Sequence, residues 1–393
     1  MSKNVELCKI YYMKRIGIDI SFIDYFGHGE DVKVSSLVIF ITDILKEIKN
    51  KNLADNFILL CRFCDTEYLK GLFPSFVFAP LIPFESKLLY SLSGHKKLGG
   101  KFFWKNSLYK RIVRKFDLNL IWFPFANPKN FIPSKIGIKK MLTVHDIYLY
   151  KMGGVKEKCF FKKIFSDVDN FFSTVSEYTK NDILNAFKNI LSNKIYVIPN
   201  TITISDVICE YIPDKNYILD INSYTERKNT ITLLKAFNII KDKIDYNLLL
   251  IGGQKNEAYY KKLIDYVEEN KLNNRVSFYF SIPEDEKIKY LKAASLFVNP
   301  SLYEGFGRSP VEAAIMKIPV ITSKETSLYE VSKGLLNYYD NPTDENELAD
   351  VILKVISNKD TSNLESIANE LRQLYSHSKI AEMYISIFNE FLK

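Results

Sequence analysis

The sequence predicts an α/β protein of two doubly wound domains, each a parallel sheet with helices on both faces. Its 393 residues suffice for two ordinary hydrophobic cores. Short apolar runs also alternate with amphipathic helical patterns almost throughout. The two halves differ in charge, since residues 1–200 carry 31 Lys and Arg against 18 Asp and Glu, and residues 201–393 carry 23 against 28. We therefore expect the halves to face different partners.

Apolar runs of strand length define the predicted sheets. In the first half they cover residues 14–21, 56–63, 118–125, 139–146, 170–176 and 194–200. In the second half they cover residues 216–223, 246–253, 275–281, 295–301 and 319–323. The segment 34–50 instead has helical periodicity, with one apolar face formed by Leu37, Val38, Ile41, Ile44, Leu45 and Ile48. Buried strands that alternate with helices are typical of parallel sheets.

The same pattern predicts the domain boundaries. Residues 1–200 form the N-terminal domain, and a proline and scattered acids interrupt the alternation in a linker at 201–215. Residues 216–375 form the second domain. The chain is predicted to be helical from about Asn363 onward, and residues 376–393 are expected to pack back on the N-terminal domain.

Cysteine content and hydropathy exclude two classes of protein. Five scattered cysteines argue against a disulfide framework, and the pair Cys61 and Cys64 lacks the second pair that a zinc site needs. We find neither a secretory leader nor an apolar run of the ~18 residues that span a membrane. The expected location is the cytoplasm, including the inner face of the cytoplasmic membrane.

The stretch "NPSLYEGFGRSPVEAA", residues 299–314, joins a predicted strand to a predicted helix. Its loop therefore lies at the carboxyl end of a parallel strand, where open α/β sheets bind ligands. Gly305 and Gly307 allow the backbone to approach a ligand closely, and helix-start N–H groups suit a phosphate or a sugar hydroxyl. Glu304 precedes the helix, and we interpret its carboxylate as a ligand for something polar that binds there.

Glu312 has two interpretations from the residues alone. Ser309 is suited to the N-cap and Pro310 to the first helical position, so Ser309 and Glu312 match a capping box that needs no ligand. Alternatively, Glu312 shares a binding role with Glu304.

A basic pair, Arg227 and Lys228, lies in "SYTERKNT", between another strand and its helix. Cations are unfavourable at the positive end of a helix dipole, so an anion bound between them is the simplest explanation. Arg with Lys suits a diphosphate. The alternative is a pair of solvated surface charges. A third strand-to-glycine turn, "LLLIGGQ", contains Gly253 and is weak evidence by itself.

These segments carry a resemblance. "SYTERKNTITLLKAF", "NLLLIGG", "NPSLYEGFGRSPVEAAIMKIPVITS" and "NPTDENELADVI" resemble the donor-binding half of the retaining glycosyltransferases of family 4, also known as group 1 glycosyltransferases. "GIDIS", "MLTVHDI", "FFSTVSEYTKNDI" and "KIYVIPNTI" resemble the N-terminal domain of that family. The resemblance implies the GT-B fold, in which two Rossmann-like domains face each other across a cleft, with the acceptor bound by the first domain and the donor by the second.

The resemblance also implies roles for individual residues. Arg227 and Lys228 match the pair that holds the donor diphosphate and supports its departure. Glu304 matches the residue that contacts the transferred sugar, and Glu312 the residue that binds the ribose hydroxyls, which favours function over a mere cap. His145 in "TVHD" matches a histidine close to the reacting sugar; by its residue type and position alone it would be a packing or turn residue.

Several further positions follow from the same match. The donor-binding residues implied beside Glu304 and Glu312 are Gly305, Phe306, Gly307 and Gly253. The glycine-rich N-terminal loop of the family is represented only by "FGHGED", which makes Gly27 and Gly29 candidates for approach to donor or acceptor. "SDVD", with Asp167 and Asp169, has metal-binding spacing but matches a structural position, so no metal is expected and Arg227 and Lys228 neutralise the diphosphate.

The implied reaction is metal-independent transfer of a hexose from a UDP-, GDP- or dTDP-sugar, as co-substrate, to a saccharide or a lipid-linked saccharide. Such a reaction serves the biosynthesis of a surface polysaccharide, such as O-antigen, capsule or lipopolysaccharide. No other cofactor is implied. A catalytically idle GT-B partner or sugar-binding subunit and a nucleotide-sugar epimerase of the same fold remain alternatives, whereas the first strand lacks the G-x-G-x-x-G of an NAD-binding enzyme.

The segment 95–116 has eight basic residues and no acidic residue. Aromatic side chains among the lysines are typical of contact with an anionic membrane surface, and residues 156–165 are expected to extend the patch. The members of the patch are Lys96, Lys97, Lys101, Phe102, Phe103, Trp104, Lys105, Arg111, Arg114 and Lys115. A nucleic-acid surface is disfavoured because no recognised motif accompanies the patch. An ordinary solvated helix face is the other alternative.

Overall fold

A computed structural model describes residues 15–22, 36–81, 100–204, 216–253, 256–358 and 360–392. The chain divides into two compact units. The first contains residues 1–175, 180–198 and 380–393, and the second contains residues 176–179 and 199–379. Gly27, Gly29, Lys96, Lys97 and most of the predicted linker lie outside the described residues.

The first unit contains a parallel sheet of seven strands in the order β3-β2-β1-β4-β5-β6-β7. Its strands are β1 (Arg15–Asp19), β2 (Phe57–Arg62), β3 (Val77–Leu81), β4 (Leu118–Phe123), β5 (Lys139–Val144), β6 (Asn170–Thr174) and β7 (Ile195–Val197). The strand order reverses between β1 and β4, which makes this pair the switch point of a doubly wound sheet.

Helices cover both faces of this sheet. They are α1 (Ser36–Asn50), α2 (Thr66–Leu72), α3 (Gly100–Phe116), α4 (Tyr148–Met152), α5 (Val155–Ser166), α6 (Glu177–Ala186) and, from the end of the chain, α14 (His377–Leu392). One core joins α1 and α14 to the sheet, where Trp122 packs 4.5 Å from Tyr384 between ring centroids. The core on the opposite face contains Ile112 of α3 and Phe161 of α5.

The second unit contains a parallel sheet of six strands in the order β10-β9-β8-β11-β12-β13. They are β8 (Tyr217–Ile221), β9 (Asn247–Gly252), β10 (Val276–Phe280), β11 (Leu296–Asn299), β12 (Val320–Ser323) and β13 (Asn337–Tyr339). Here the order reverses between β8 and β11, which pair through Ile218 with Leu296 and Leu219 with Phe297.

The helices of the second unit are α7 (Thr230–Ile240), α8 (Glu257–Glu269), α9 (Glu284–Ala293), α10 (Arg308–Ile315), α11 (Leu328–Val331), α12 (Glu345–Ser357) and α13 (Leu364–Leu374). Helices α7, α8 and α12 share one core with the sheet, which includes Ile218, Leu233, Leu263 and Ile352. Helix α10 packs on β11, β12 and α13. Each unit is thus Rossmann-like.

The predicted fold class is confirmed, because both sheets are parallel and doubly wound. The eleven predicted strands all form, and the helical end after Asn363 is also confirmed by α13 and α14. The prediction missed the edge strands β3 and β13. Within the described ranges, no helix combines the length and the apolar character needed to cross a bilayer.

Candidate functional site

Two loops of the second unit meet at the switch point of its sheet. The cation loop, residues 222–229, follows β8, and the glutamate loop, residues 300–307, follows β11. Because β8 and β11 are neighbours and parallel, both loops leave the same edge of the sheet side by side. Open α/β sheets bind ligands in the crevice at this point.

Arg227, Lys228 and Glu304 form one ionic cluster there. The ammonium of Lys228 donates to Oε1 of Glu304, and the Nη1 atom of Arg227 lies 3.5 Å from Oε2. The hydroxyl of Ser301 also donates to Oε1 at 3.0 Å. Lys228 and Glu304 are buried, at 9% and 8% exposure. Because Lys228 is buried, the alternative interpretation of the basic pair as solvated surface charges is wrong for Lys228.

The charges of this cluster compensate each other. Burial alone would raise the pKa of Glu304, but the charge of Lys228 and then that of Arg227 outweigh burial and hold the pKa below its ordinary value. Glu304 is therefore ionised at neutral pH, and both of its oxygens are engaged by cations. An anionic ligand would find two cations here and would compete with Glu304 for them.

Backbone hydrogen bonds hold the two loops together. The amide of Leu302 donates to the carbonyl of Arg227 at 2.8 Å, and Nη1 of Arg227 donates to the carbonyl of Tyr303 at 3.0 Å. The amide of Glu304 donates to the Thr326 hydroxyl at 3.0 Å. The cluster is consequently held in place before any ligand binds, which electrostatic stabilisation of a transition state requires.

The glycine-rich part of the glutamate loop is tightly packed. The carbonyl of Gly305 accepts from the Ser176 hydroxyl at 2.7 Å. The ring of Phe306 packs edge-on against Tyr375, 5.2 Å between centroids. Gly307 has a φ of +83°, and a β-carbon there would lie 2.6 Å from a methyl group of Leu328. The side chain of Phe306 thus belongs to the core, and any donor contact by this residue would use its backbone.

The predicted capping box is wrong. Helix α10 begins at Arg308, its N-cap is Gly307, and no side chain caps it. The carboxylate of Glu312 instead accepts from the guanidinium of Arg308, with Nη2 at 3.1 Å and Nε at 3.2 Å. The helix starts two residues earlier than predicted because Pro310 is tolerated anywhere in the first turn, where N–H groups have no intrahelical partner. Glu312 is therefore available for a role other than capping.

The two glycines in the turn after β9 differ in the space around their α-carbons. A β-carbon on Gly252 would lie 1.8 Å from the carbonyl oxygen of Asn222, so only glycine fits at this position beside the cation loop. A β-carbon on Gly253 would meet nothing within 4 Å. Gly252 thus has a structural role that the sequence analysis did not assign, and the space beside Gly253 is compatible with the approach of a ligand.

His145 lies in the first unit, directly after β5. Its Nε2 atom lies 3.1 Å from the carbonyl oxygen of Pro124, and since a carbonyl only accepts, Nε2 carries the proton. The ring also packs edge-on against Phe40 and Phe125. These contacts fix the orientation of the imidazole near the switch point of the first sheet.

Two other sequence features are structural. Asp167 forms an ion pair with the fully buried Lys140 at 2.7 Å, and its second oxygen accepts from the amide of Asp169 at 3.1 Å. This agrees with the structural interpretation of "SDVD". Cys61 is buried in β2, with its sulfur 3.6 Å from the Thr66 hydroxyl.

Two ionisable residues close to Glu304 and Glu312 were not among the predicted site residues. Asp220, in β8, is 1% exposed and accepts from the side-chain amide of Asn222 at 2.6 Å. Arg308, the partner of Glu312, also donates to the carbonyl of Thr201 at 2.8 Å. A signal for Asp220 did exist, since an acid inside the apolar run "NYILDINS" has to be buried.

Comparisons with known proteins agree with this geometry. Residues 210–374 match the sequence profile of the family described as glycosyl transferases group 1. An uncharacterized glycosyltransferase of Methanocaldococcus jannaschii is 29% identical over 294 residues, which cover 70% of this chain and 77% of that protein. An O-antigen chain mannosyltransferase of Salmonella typhimurium is 34% identical over 210 residues, or 52% of this chain. The match spans 57% of that mannosyltransferase, little more than half of its length.

A solved structure supports the fold over nearly the whole chain. HepE from Anabaena, in complex with UDP and glucose, superposes with a TM-score of 0.68 at 15% identity, covering 96% of this chain and 100% of that one. The profile match includes both loops of the ionic cluster, and the structural match includes both Rossmann-like units. Together these findings support the resemblance seen in the sequence: residues 210–374 match the group 1 glycosyltransferase profile, and the two Rossmann-like units have the fold of the GT-B glycosyltransferases.

Proposed function

We propose that this glycosyltransferase moves a hexose from a nucleoside diphosphate sugar to a hydroxyl of a saccharide or lipid-linked saccharide, with retention of anomeric configuration. The observation that carries the proposal is the cluster of partly buried Arg227 with buried Lys228 and Glu304 at the switch point of the second sheet. Two cations held in a low-dielectric loop pair suit a diphosphate leaving group. A carboxylate between them suits the hydroxyls of the sugar attached to that diphosphate.

The reaction breaks the bond between the anomeric carbon and the diphosphate oxygen and forms a bond from that carbon to the acceptor oxygen. The acceptor proton passes to the departing phosphate oxygen on the same face of the sugar. Glu304 is a poor nucleophile because Lys228 and Ser301 contact one of its oxygens and Arg227 lies near the other. The rate then derives from stabilisation of the diphosphate charge by Lys228 and Arg227.

The remaining site residues take supporting roles in this proposal. Glu312 binds the ribose hydroxyls, and Arg308, which contacts Glu312 in the protein without ligand, orients it. The backbone of residues 305–307 and the open side of Gly253 line the donor. His145, with its proton on Nε2, keeps in this proposal the role that the resemblance implies, contact with the reacting sugar. Arg227 and Lys228 replace a metal ion in neutralising the diphosphate.

The substrate class is supported by the relatives. The mannosyltransferase acts on an O-antigen chain by its name, and HepE was solved with UDP and glucose. Both point to a hexose, a nucleoside diphosphate carrier and a saccharide acceptor. We infer that the product belongs to a bacterial surface polysaccharide and that the acceptor is lipid-linked, which requires the enzyme to reach a membrane.

The first unit has a surface suited to that contact. Arg111, Arg114 and Lys115 are exposed on α3, and the structure describes the helical backbone of residues 101–105. Close in sequence to exposed Lys156 and Lys158 of α5, two apolar side chains project into solvent: Met152, the last residue of α4, is 70% exposed, and Val155, the first residue of α5, is 80% exposed. Apolar side chains among lysines suit insertion between anionic headgroups.

We therefore expect the double substitution Met152→Glu and Val155→Glu to weaken binding to anionic vesicles about tenfold, because two apolar anchors are lost and two charges become repulsive. Cosedimentation with phosphatidylcholine vesicles containing about one-third phosphatidylglycerol measures this effect. The matched control is Phe63→Glu with Leu72→Glu, two apolar side chains of the same unit with 60% and 48% exposure. Equal vesicle binding by both double variants would reject this surface.

The experiment that tests the proposed function is thermal stabilisation by a panel of nucleoside diphosphates and nucleoside diphosphate sugars, since a ligand that binds only the native state raises the Tm. We expect the nucleoside diphosphate of one particular base, or its sugar, to raise the Tm of the wild type equally with magnesium and with EDTA. The same ligand should raise the Tm of Glu312→Ala less. If no nucleotide raises the Tm of the wild type, the idle sugar-binding subunit becomes the better interpretation. If magnesium is required, the metal-independent assignment fails.

A further inference from the structure

A buried carboxylate beside the ionic cluster has no part in the proposed function. Asp220 is the fourth residue of β8 and lies on the sheet face that packs against α7, among Ile218, Leu250 and Tyr339. At 1% exposure it is almost as inaccessible as its apolar neighbours. A carboxylate in such surroundings is costly unless other groups compensate it, so its partners indicate why it is there.

The hydrogen bonds of Asp220 connect the two ends of the cation loop. Its Oδ1 accepts from the side-chain amide of Asn222, the first residue of the loop, at 2.6 Å. Its Oδ2 accepts from the hydroxyl of Thr230, the residue directly after the loop, at 3.5 Å. One side chain therefore closes the segment that presents Arg227 and Lys228.

The rest of the cation loop is held by backbone carbonyls. Asn229 adopts a left-handed conformation with φ of +54°, and its side-chain amide donates to the carbonyls of Pro300 and Pro342 at 3.2 and 2.7 Å. The amide of Asn222 donates to the carbonyl of Ile251 at 3.0 Å. These bonds to neutral carbonyls fix the path of the backbone. The carboxylate of Asp220 differs from these partners because it is ionisable.

Ionisable and polar groups face Asp220 from every element around it. Lys228 is the cation that stabilises its charge, and Glu304 is the anion that opposes it. The charge of Asp220 in turn contributes to raising the pKa of three tyrosines, after the larger effect of their own burial. The facing groups are Asn222, Tyr224, Lys228, Thr230, Tyr259, Glu304 and Tyr339.

Lys228 is therefore the cation common to two buried carboxylates. Glu304 contacts it directly, and Asp220 lies close enough for the charge of Lys228 to lower its pKa. Burial is nevertheless the larger effect and raises the pKa of Asp220 to about 7, whereas the pKa of Glu304 is lowered. Glu304 thus stays ionised across the neutral range while Asp220 changes its charge within that range.

We propose that Asp220 is a positioning residue for glycosyl transfer, which uses its carboxylate to close the cation loop and to orient Lys228 toward the donor diphosphate. The proposal rests on the proposed function. Hydrogen bonds to an ionised acceptor are about twice as strong as those to a neutral one, so the bonds from Asn222 and Thr230 that close the loop are strongest when Asp220 is ionised, even though burial of the charge lowers the stability of the protein as a whole. The charge of Asp220 also offsets part of the attraction between Lys228 and the diphosphate. Ionisation of Asp220 is therefore expected to improve the position of Lys228 without raising the affinity for the donor.

Asp220→Asn, which keeps the shape and removes the charge, is the variant that tests this role. We expect kcat to fall about tenfold, in line with a weakened charge-assisted contact, while KM for the donor sugar does not rise. Between pH 6 and 8 the kcat of the wild type rises with pH as Asp220 ionises, and the kcat of Asp220→Asn stays flat over that range. Thr230→Val, which removes one donor only, shows a smaller loss and keeps the pH dependence.

A second readout does not depend on transfer. Because the pKa of Asp220 is higher in the native than in the unfolded state, the native state binds more protons, and the wild type loses stability as pH rises from about 4 to above 7. Asp220→Asn lacks this loss, so its Tm relative to the wild type increases over the same range. Asp344→Asn, which alters the N-cap of α12, is the structural control: it lowers the Tm and leaves the kcat profile unchanged.

The outcomes separate this proposal from the proposed function. A wild type that transfers from no nucleoside diphosphate sugar counts against the proposed function and with it against the role of Asp220. An active wild type whose pH dependence is retained in Asp220→Asn overturns the positioning role alone. A Tm difference that does not change with pH, together with a kcat of Asp220→Asn equal to that of the wild type, also overturns it.

Discussion

Lys228→Met is expected to lower the rate of transfer by at least about a hundredfold, since one preorganised charge at a leaving group is typically worth that much. The ammonium of Lys228 is buried and already contacts Glu304, so it needs no reorganisation to meet a diphosphate. Methionine keeps most of the side-chain length and removes only the charge. The loss should appear in kcat more than in KM, because the diphosphate gains charge mainly in the transition state.

The measurement is steady-state transfer with the donor that the thermal panel identifies. Lys235→Met is the matched control, because Lys235 lies on the adjoining helix α7, with its side chain 41% exposed and 3.3 Å from Glu345. A half-exposed ion pair contributes little, so the control should change the rate by less than about twofold. Near-normal turnover by Lys228→Met would remove this residue from the active site.

The Lys228→Met variant should remain folded. Loss of one partner from a buried ion pair commonly costs about 3–5 kcal/mol when the other charge is left alone. Here Arg227 and Ser301 still contact Glu304, and Glu304 is able to take up a proton. We therefore expect a lowered Tm with an unchanged circular dichroism spectrum, which separates the loss of activity from unfolding.

The fold was predictable because buried parallel strands have a strong sequence pattern. Runs such as "LNLIWFPF" are apolar on both faces, as strands covered by helices must be. The two missed strands lie at sheet edges, where that requirement weakens. β3 contains Pro80, which an edge strand tolerates, and β13 has only three residues. Neither presents the long apolar run on which the prediction depended.

The site was predictable where topology alone determines position. Glu304 and the Arg227–Lys228 pair follow strands that lie side by side, so their meeting follows from the sheet order. Glu312 was harder, because a capping box and an ion pair with Arg308 fit the same residues, and the choice depends on a two-residue shift of the helix start. The partners of Asp220 depend on how the loop folds back, which periodicity does not encode.

Substitution by glutamine should change the affinity for the nucleoside diphosphate in opposite directions at Glu304 and at Glu312. Glu304→Gln is expected to lower transfer about a hundredfold, because the transferred sugar loses a charged hydrogen-bond acceptor and Lys228 loses its partner. The same change should tighten binding of the free nucleoside diphosphate up to about tenfold. The reason is that Glu304 occupies both cations before the ligand arrives, and an uncharged amide competes with a diphosphate much less.

Glu312→Gln is the matched comparison, since Glu312 contacts Arg308 and not the cation pair. If it binds the ribose, its substitution should weaken nucleotide binding about tenfold without relieving any competition. Titration calorimetry with the stabilising nucleoside diphosphate measures both affinities, and steady-state transfer measures the rates. Weaker binding by both variants would mean that Glu304 helps to hold the nucleotide. Tighter binding by Glu304→Gln alone, combined with slow transfer, would show that the carboxylate of Glu304 pairs with Arg227 and Lys228 until the diphosphate displaces the carboxylate.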